Sequence, residues 1–587
     1  MSKIYGKNLL CLFFLAFLPL CAWAQNPLKL RVTAEAGKEN VLHKYKLPKT
    51  VADSLEARKT VKEVVTALHY DGYVLALMER MTVQEEAVVV QVSIGERFEW
   101  LRLDPGNLDK ALIRRAGYRQ RDFTDKPFRY KQVARLQESL LAHAEAHGYP
   151  FASLTIDSLY IDGNYIGGKL NFDPGPSITF DSLSIKSDFP IRQRFLQNHL
   201  DIKQGELYDQ KRVERLVRAL GRLPYLTVAS APSITFQNSE ATINLDLAKK
   251  RINQIDGIIG FLPNANASEN DNRLLVTGQF DLQLFNPFGS GKKIGLHWRR
   301  QNIETQTLFI EYDHPNFFRS PLSVSVDFDF LKQGREFTKR DLQLSLRYQV
   351  GGQGTFTVFT RQQGTDLIET EDLQQATVLP DIIDFDLALY GVGFSWNTLD
   401  DVFLPKRGMR VDLTASAGNK KIRPNPDIPN DLLIGLDFKN LQYDLSFHFE
   451  NYQRLDRNLI LLNRIEGGLQ LNDQLFRNDA IRLGGLNSLR GFNENFFFAT
   501  RYAMTTLEGR LFFDEFSFLS LFGDFAVLRE TFSEMPKTDF PIGLGAGISF
   551  TTNAGIFNFV YAVGRSDASG GLSLNQSKIH FGFTSRF

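Results

Sequence analysis

From Leu322 to Phe330 the chain alternates without a break: Leu322, Val324, Val326, Phe328 and Phe330 fall on one side, and Ser323, Ser325, Asp327 and Asp329 on the other. Leu441, Tyr443, Leu445, Phe447 and Phe449 oppose Asn440, Gln442, Asp444, Ser446 and His448 in the same way. A period of two sends successive side chains to opposite faces of a β-strand, so each segment has one apolar and one polar face. A soluble sandwich and a membrane barrel both use that pattern. The number and length of these strands, behind an export signal, favour a barrel with lipid outside and water inside. Between Arg251 and Phe587 such segments recur about sixteen times. They are separated by turn signals at Asn286-Pro287 with Gly289, at Asp313-His314-Pro315-Asn316, and at Pro405 with Gly408. Most of the 49 phenylalanines also lie in this half. No run past Ala24 is apolar for the roughly 18 residues a membrane helix needs, so phenylalanine-rich strands are left to meet the lipid.

Residues 1–24 read as a secretory signal. Lys3 and Lys7 give the positive start, Leu9 to Leu20 the apolar run, and Ala22-Trp23-Ala24 a small-x-small cleavage site before Gln25. Cys21 raises the alternative of a lipoprotein, against which Leu20 is bulkier than a lipobox tolerates. Both cysteines, Cys11 and Cys21, lie inside the signal, so the mature chain has none to form disulfides or thiolate metal sites. A formal net charge of +1 does not provide the concentrated basic face that a nucleic-acid partner needs.

The segment from Gln25 to Lys250 repeats. Tyr73, Tyr149 and Tyr225 are spaced 76 residues apart, each at a corner: Leu68-His69-Tyr70-Asp71-Gly72-Tyr73, His147-Gly148-Tyr149 and Leu223-Pro224-Tyr225. Amphipathic patterns precede the corners at Asp53 to His69, Lys131 to His147 and Gln210 to Leu220. Alternating strands follow, such as Ser153 to Asp162 and Tyr165 to Phe172. Three α+β units are expected at 25–97, 98–174 and 175–250. In the first the opening strand is short and Pro48 interrupts the approach to the helix. An open strand edge in such a unit accepts an unfolded segment as one more strand; the bland alternative is a rigid spacer. His143 and His147 have the helical spacing of a zinc pair, but no glutamate adjoins His143 and no third ligand is near, so a solvated helix face is expected. Gly543, Gly545 and Gly547 recur with period two and no helix follows, so they line a strand face toward the lumen and bind no nucleotide. No phosphate-binding loop, cofactor motif or cluster of nucleophile, base and orienting acid is evident, and a non-enzyme is expected.

Within Ile481 to Phe513 stand Leu489-Arg490-Gly491-Phe492, after the pair Gly484-Gly485 and before the aromatic run Phe496 to Phe498. Downstream, Phe522-Gly523-Asp524-Phe525-Ala526 gives Asp524 the parity of an inward-facing acid, the partner a lumen arginine needs to offset its desolvation. Here the chain resembles the POTRA-and-barrel superfamily of outer-membrane assembly factors and translocases that includes BamA, TamA and the two-partner-secretion transporters. In that family a Val/Leu-Arg-Gly-Phe/Tyr tip folds back from the sixth outer loop, and its arginine meets the aspartate of a Phe-x-Asp-x-Gly motif. Leu489, Arg490, Gly491 and Phe492 match the tip, and Phe522 and Asp524 the motif; Ala526 replaces the closing glycine. Asn286 to Gly291 and Asp400 to Gly408 resemble family turns.

The terminal residues, with Gly582 and Phe587, resemble the family's assembly signal, although Ser585 fills its other aromatic place. The resemblance implies POTRA units followed by a barrel of 16 antiparallel strands at 251–587, in the outer membrane of a Gram-negative bacterium. It implies unfolded outer-membrane or secreted clients, outer-membrane lipid and accessory subunits as partners. Three units place the chain nearer the TamA-like branch. The implied action is insertion or translocation without nucleotide through a weak join between the first and last strands, where Gly257 and Gly260 supply no packing side chain. Alternatives are a secretion pore dedicated to one partner protein and a passive channel.

Overall fold

In the computed structural model the described residues are 28–586, apart from 99, 116–117, 264–273, 301–304, 352, 402, 534, 553–554 and 568–576. The signal segment and Phe587 therefore lie outside them. The chain divides into two units, one of residues 28–178 with 207–210, the other of 179–206 with 211–586.

The first unit holds two four-stranded mixed sheets, each covered by helices. Helix Ser54–Tyr70 starts at Asp53, whose carboxylate accepts from the Glu56 amide at 2.7 Å while Glu56 accepts from the Ala52 amide at 2.6 Å. The first bond satisfies a backbone donor that the first helical turn would leave free, and the second ties the chain entering the helix to that turn. Ala57, Val61, Val64 and Leu68, at spacings of four, three and four, bury one helix face against Val88, Val90 and Val92 of the sheet. Gly72, at φ +99°, turns the chain out of the helix. In the second sheet, helix Tyr130–Glu145 buries Val133, Leu136 and Leu140 against Leu101, Leu103 and Leu170. Each buried aliphatic contributes about 1.5–3 kcal/mol of transfer free energy. Both sheets end in edge strands, Leu77–Val83 and Ser153–Asp162.

The second unit begins with a third α+β layer in the order strand, helix, helix, strand, strand: Thr179–Ser187, Gln193–Leu200, Gln210–Leu220, Leu226–Gln237 and Glu240–Lys249. From Gln254 the chain builds one closed barrel of antiparallel strands, sixteen in all with a short hairpin strand, Lys537–Asp539, added beside them. Strand Phe337–Val350 shows why the sequence closes this way. Leu342, Leu344, Leu346 and Tyr348 point outward, while Asp341 and Ser345 are buried inside. Asp341 is held by a bidentate ion pair to Arg361 on the next strand, with contacts of 2.5–2.9 Å.

The third layer is fixed to one barrel rim. The Arg192 amide donates to the Gly289 carbonyl at 2.7 Å, the Asn286 side chain to the Pro190 carbonyl, and the Lys250 ammonium meets Asp401 at 2.5 Å. Asn286 and Gly289 take positive φ in this turn. At Gly291 a Cβ would lie 2.2 Å from the Phe195 ring, so glycine is needed for the close approach. At the opposite rim, long loops pack Ile383, Phe385, Ile428, Leu433 and Phe476 into an apolar cap. Beneath it Lys420 and Asp479 form a fully buried ion pair, with Lys420 4.4 Å from the Phe385 ring centre.

Candidate functional site: the lumen loop and the strand join

The sixth loop on the capped rim lies between strands Leu459–Leu471 and Arg501–Phe512. It enters the barrel as a hairpin, Ile481–Leu483 paired with Phe497–Ala499, and carries residues 484–496 at its end. The glycine pair sets the path. Gly484 and Gly485 have φ of +121° and +97°, the Gly484 amide donates to the Ser488 hydroxyl at 2.8 Å, and the Gly485 amide to the Leu489 carbonyl.

Arg490 is clamped by two strands. Its Nε and one terminal nitrogen donate to the two oxygens of Asp524 at 2.8 and 2.7 Å, and its backbone amide also reaches Asp524, at 3.2 Å. The other terminal nitrogen donates to Glu508 at 2.6 Å, and Glu508 in turn accepts from Arg510 at 2.7 Å. Thr506 donates to Asp524 at 2.8 Å. The guanidinium lies 3.4 Å from the centre of the Phe522 ring. Asp524 has no solvent exposure, so its charge is balanced wholly by these donors.

Apolar packing holds the same tip. Leu489 is fully buried and Phe492 nearly so, in a cluster with Leu483, Phe497, Met504, Ala526 and Leu528. Ala526, in the place of a glycine, contributes its methyl to that cluster. Gly491, at φ +94°, lies against Gly564, where a Cβ would meet the Gly491 carbonyl at 2.7 Å. A Cβ on Gly543 would lie 2.1 Å from the Arg490 carbonyl. Gly543 therefore does more than face the lumen: with Gly564 on the next strand it leaves room for the tip's backbone.

A scan against family models matches residues 286–587 to the Omp85 superfamily domain. The chain belongs to the Omp85 superfamily. No curated protein matches it by sequence. Among solved structures, CdiB from Escherichia coli is similar in fold at 12% identity, covering 90% of this chain and 96% of that one, with a TM-score of 0.53. CdiB from Acinetobacter baumannii gives 11% identity, 84% and 90% coverage, and a TM-score of 0.53. BamA from Haemophilus ducreyi lacking POTRA domains 1–3 gives 14%, 84% and 100%, and 0.43.

In this Omp85 barrel the join between first and last strands is uneven. Strand Gln254–Pro263 has a partner for every residue on strand Leu274–Phe285. Toward the last strand, Lys578–Arg586, it pairs among the described residues through Gln254 with Arg586 and Ile255 with Ser585. Both pairs lie at the rim next to the third α+β layer. Gly257 and Gly260 come after the pairing has ended. A Cβ at Gly257 would find ordinary contacts, 3.6 Å from Phe280, so no crowding explains a glycine there. Gly582 pairs with Asn558 on the other neighbour of the last strand. Phe581 and Phe583 face outward and pack their rings on Phe559 and Phe557 at 4.8 and 4.7 Å.

The sequence motif brought Arg490, Phe522 and Asp524 together as expected from their parity, but it did not disclose Glu508, Thr506 or Arg510. All three share inward parity on strand Arg501–Phe512, a signal every barrel strand gives.

Proposed function

We propose that this Omp85 protein passes unfolded client polypeptides from its POTRA-like N-terminal units to the join between its first and last strands, and inserts them there into the outer membrane of a Gram-negative bacterium. The observation that carries the reading is the short ladder across that join. Backbone groups facing hydrocarbon without a partner cost several kcal/mol each, so strand edges that stop pairing at Ile255 and Ser585 favour any segment able to complete the ladder. A client strand supplies such a segment by β-augmentation, and the exchange of backbone hydrogen bonds needs no nucleotide. Edge strands in the first unit provide earlier stations of the same chemistry. The apolar cap and the loop within the lumen disfavour a passive channel.

The role we assign to Arg490, Glu508 and Asp524 is to hold the loop in the lumen and brace the wall while the join works. Photo-crosslinking from positions 256–262 of the first strand in cells tests the reading. Trapped outer-membrane barrel clients support it; trapping of one exported partner favours a dedicated secretion pore; an absence of trapped chains, with large steady conductance in planar bilayers, favours a channel.

A further inference from the structure

Beyond its arginine, the lumen loop presents an acid in the opposite direction. Glu494 lies 3.9 Å from Arg299 on strand Lys293–Arg300, the third strand from the join. The acid has a prepared seat: a Cβ on Gly485 would lie 1.9 Å from a Glu494 carboxylate oxygen, and one on Gly484 would lie 2.4 Å from the Asn493 carbonyl. Gly485 thus makes room for Glu494 as Gly543 does for Arg490. One loop is tied at Arg490 to the strands carrying Glu508 and Asp524, and at Glu494 to a strand on the far side of the join.

We infer that Glu494 is a positioning residue that, opposite the Arg490 clamp, clasps the loop to the first-strand flank of the join, so that the separation of first and last strands depends on this contact. The inference rests on the reading of the join as the working site. The clasp is weaker than the Arg490 clamp by construction: Arg299 and Glu494 are each about one-third exposed, whereas Asp524 is sealed. Surface-like ion pairs of this kind exchange readily, which suits a contact released in each cycle.

The test places spin labels at Phe280→Cys on the second strand and Ile579→Cys on the last, both exposed on the outer face, in the full chain reconstituted in lipid bilayers. The inference expects Glu494→Gln to broaden the distance distribution between the labels and extend its mean, Arg299→Gln to do the same, and Glu494→Arg combined with Arg299→Glu to narrow it again. Distributions unchanged from the parent in both single variants overturn it, as does a broadening that the charge swap leaves untouched. Should Glu494→Gln fail to insert, Arg299→Gln and the swap carry the same test. No client enters the measurement. A clasp that responds in a protein that inserts no clients refutes the proposed function alone, and client insertion with unresponsive labels refutes the clasp alone.

Discussion

Replacing Arg490 by alanine removes three side-chain hydrogen bonds at once, two from Asp524 and one from Glu508. The consequences for the two acids differ. Glu508 keeps Arg510 at 2.7 Å. Asp524, fully buried, keeps among the described residues the Thr506 hydroxyl and the backbone amide of residue 490. Breaking a buried pair by removing one partner costs about 3–5 kcal/mol, because a charge is left uncompensated. At about 1.4 kcal/mol per tenfold, that shifts the balance between docked and undocked loop by two to three and a half orders of magnitude. Leu489 and Phe492 still bury their side chains, so the barrel itself should remain closed and inserted.

The assay is a spin label at Asn487→Cys, an exposed position on the loop, in a chain from residue 28 onward, which has no cysteine of its own, read alongside insertion of an unfolded barrel client into liposomes. Arg490→Ala should mobilise the label and slow client insertion. Arg490→Lys should do so partly, since lysine keeps the charge but not the fork that meets both oxygens of Asp524. Arg490→Ala with Asp524→Ala should recover much of the docking, because the stranded carboxylate is gone. An immobile label with parental insertion in Arg490→Ala would refute the reasoning.

Gly543→Ala should displace the tip, since its Cβ would fall 2.1 Å from the Arg490 carbonyl, and should mobilise the same label; Gly257→Ala, with contacts no closer than 3.6 Å, should leave it unchanged. Phe492→Ala should cost about 3–5 kcal/mol of loop docking by emptying the apolar cluster, even with the Arg490 clamp intact, and label mobility reads this too. Burial pushes His199 below the usual imidazole range; its bond to the Ala219 carbonyl opposes that shift, while the charge of Arg222 adds to it. A lowered folded-state value means the unfolded chain binds the extra proton first, so the stability contributed by neutral His199 is present above about pH 6.5 and is lost as pH falls through the folded value. Protection factors of helix Gln193–Leu200, taken against the intrinsic exchange rate at each pH, should therefore fall on acidification, and His199→Gln should flatten that dependence.

The strands were legible in the sequence because each carries its own evidence: Leu342, Leu344, Leu346 and Tyr348 alternate with polar neighbours whatever lies beside them. The Arg490–Asp524 pair was legible for a different reason, a rare cation next to glycine and an acid of matching parity. Glu508 was not, since inward polar residues are the rule in a barrel wall and nothing in Leu507-Glu508-Gly509 marks this one. Gly543 and Gly564 showed their parity but not their purpose, which depends on a loop backbone that approaches from elsewhere in the chain. Apolar loop residues such as Ile428 and Leu433 gave no periodic signal, so the cap they form was not anticipated. The extent of the join was also hidden, because the register between first and last strands is a property of closure around all sixteen.

That join can be sealed directly. Gly257→Cys and Phe583→Cys continue the register of the observed pairs, and oxidation would bridge them where the ladder has lapsed. Client insertion by the oxidised double variant should fall to the level of empty liposomes and return on reduction, while either single variant works throughout. Full insertion with the bridge in place would contradict the account.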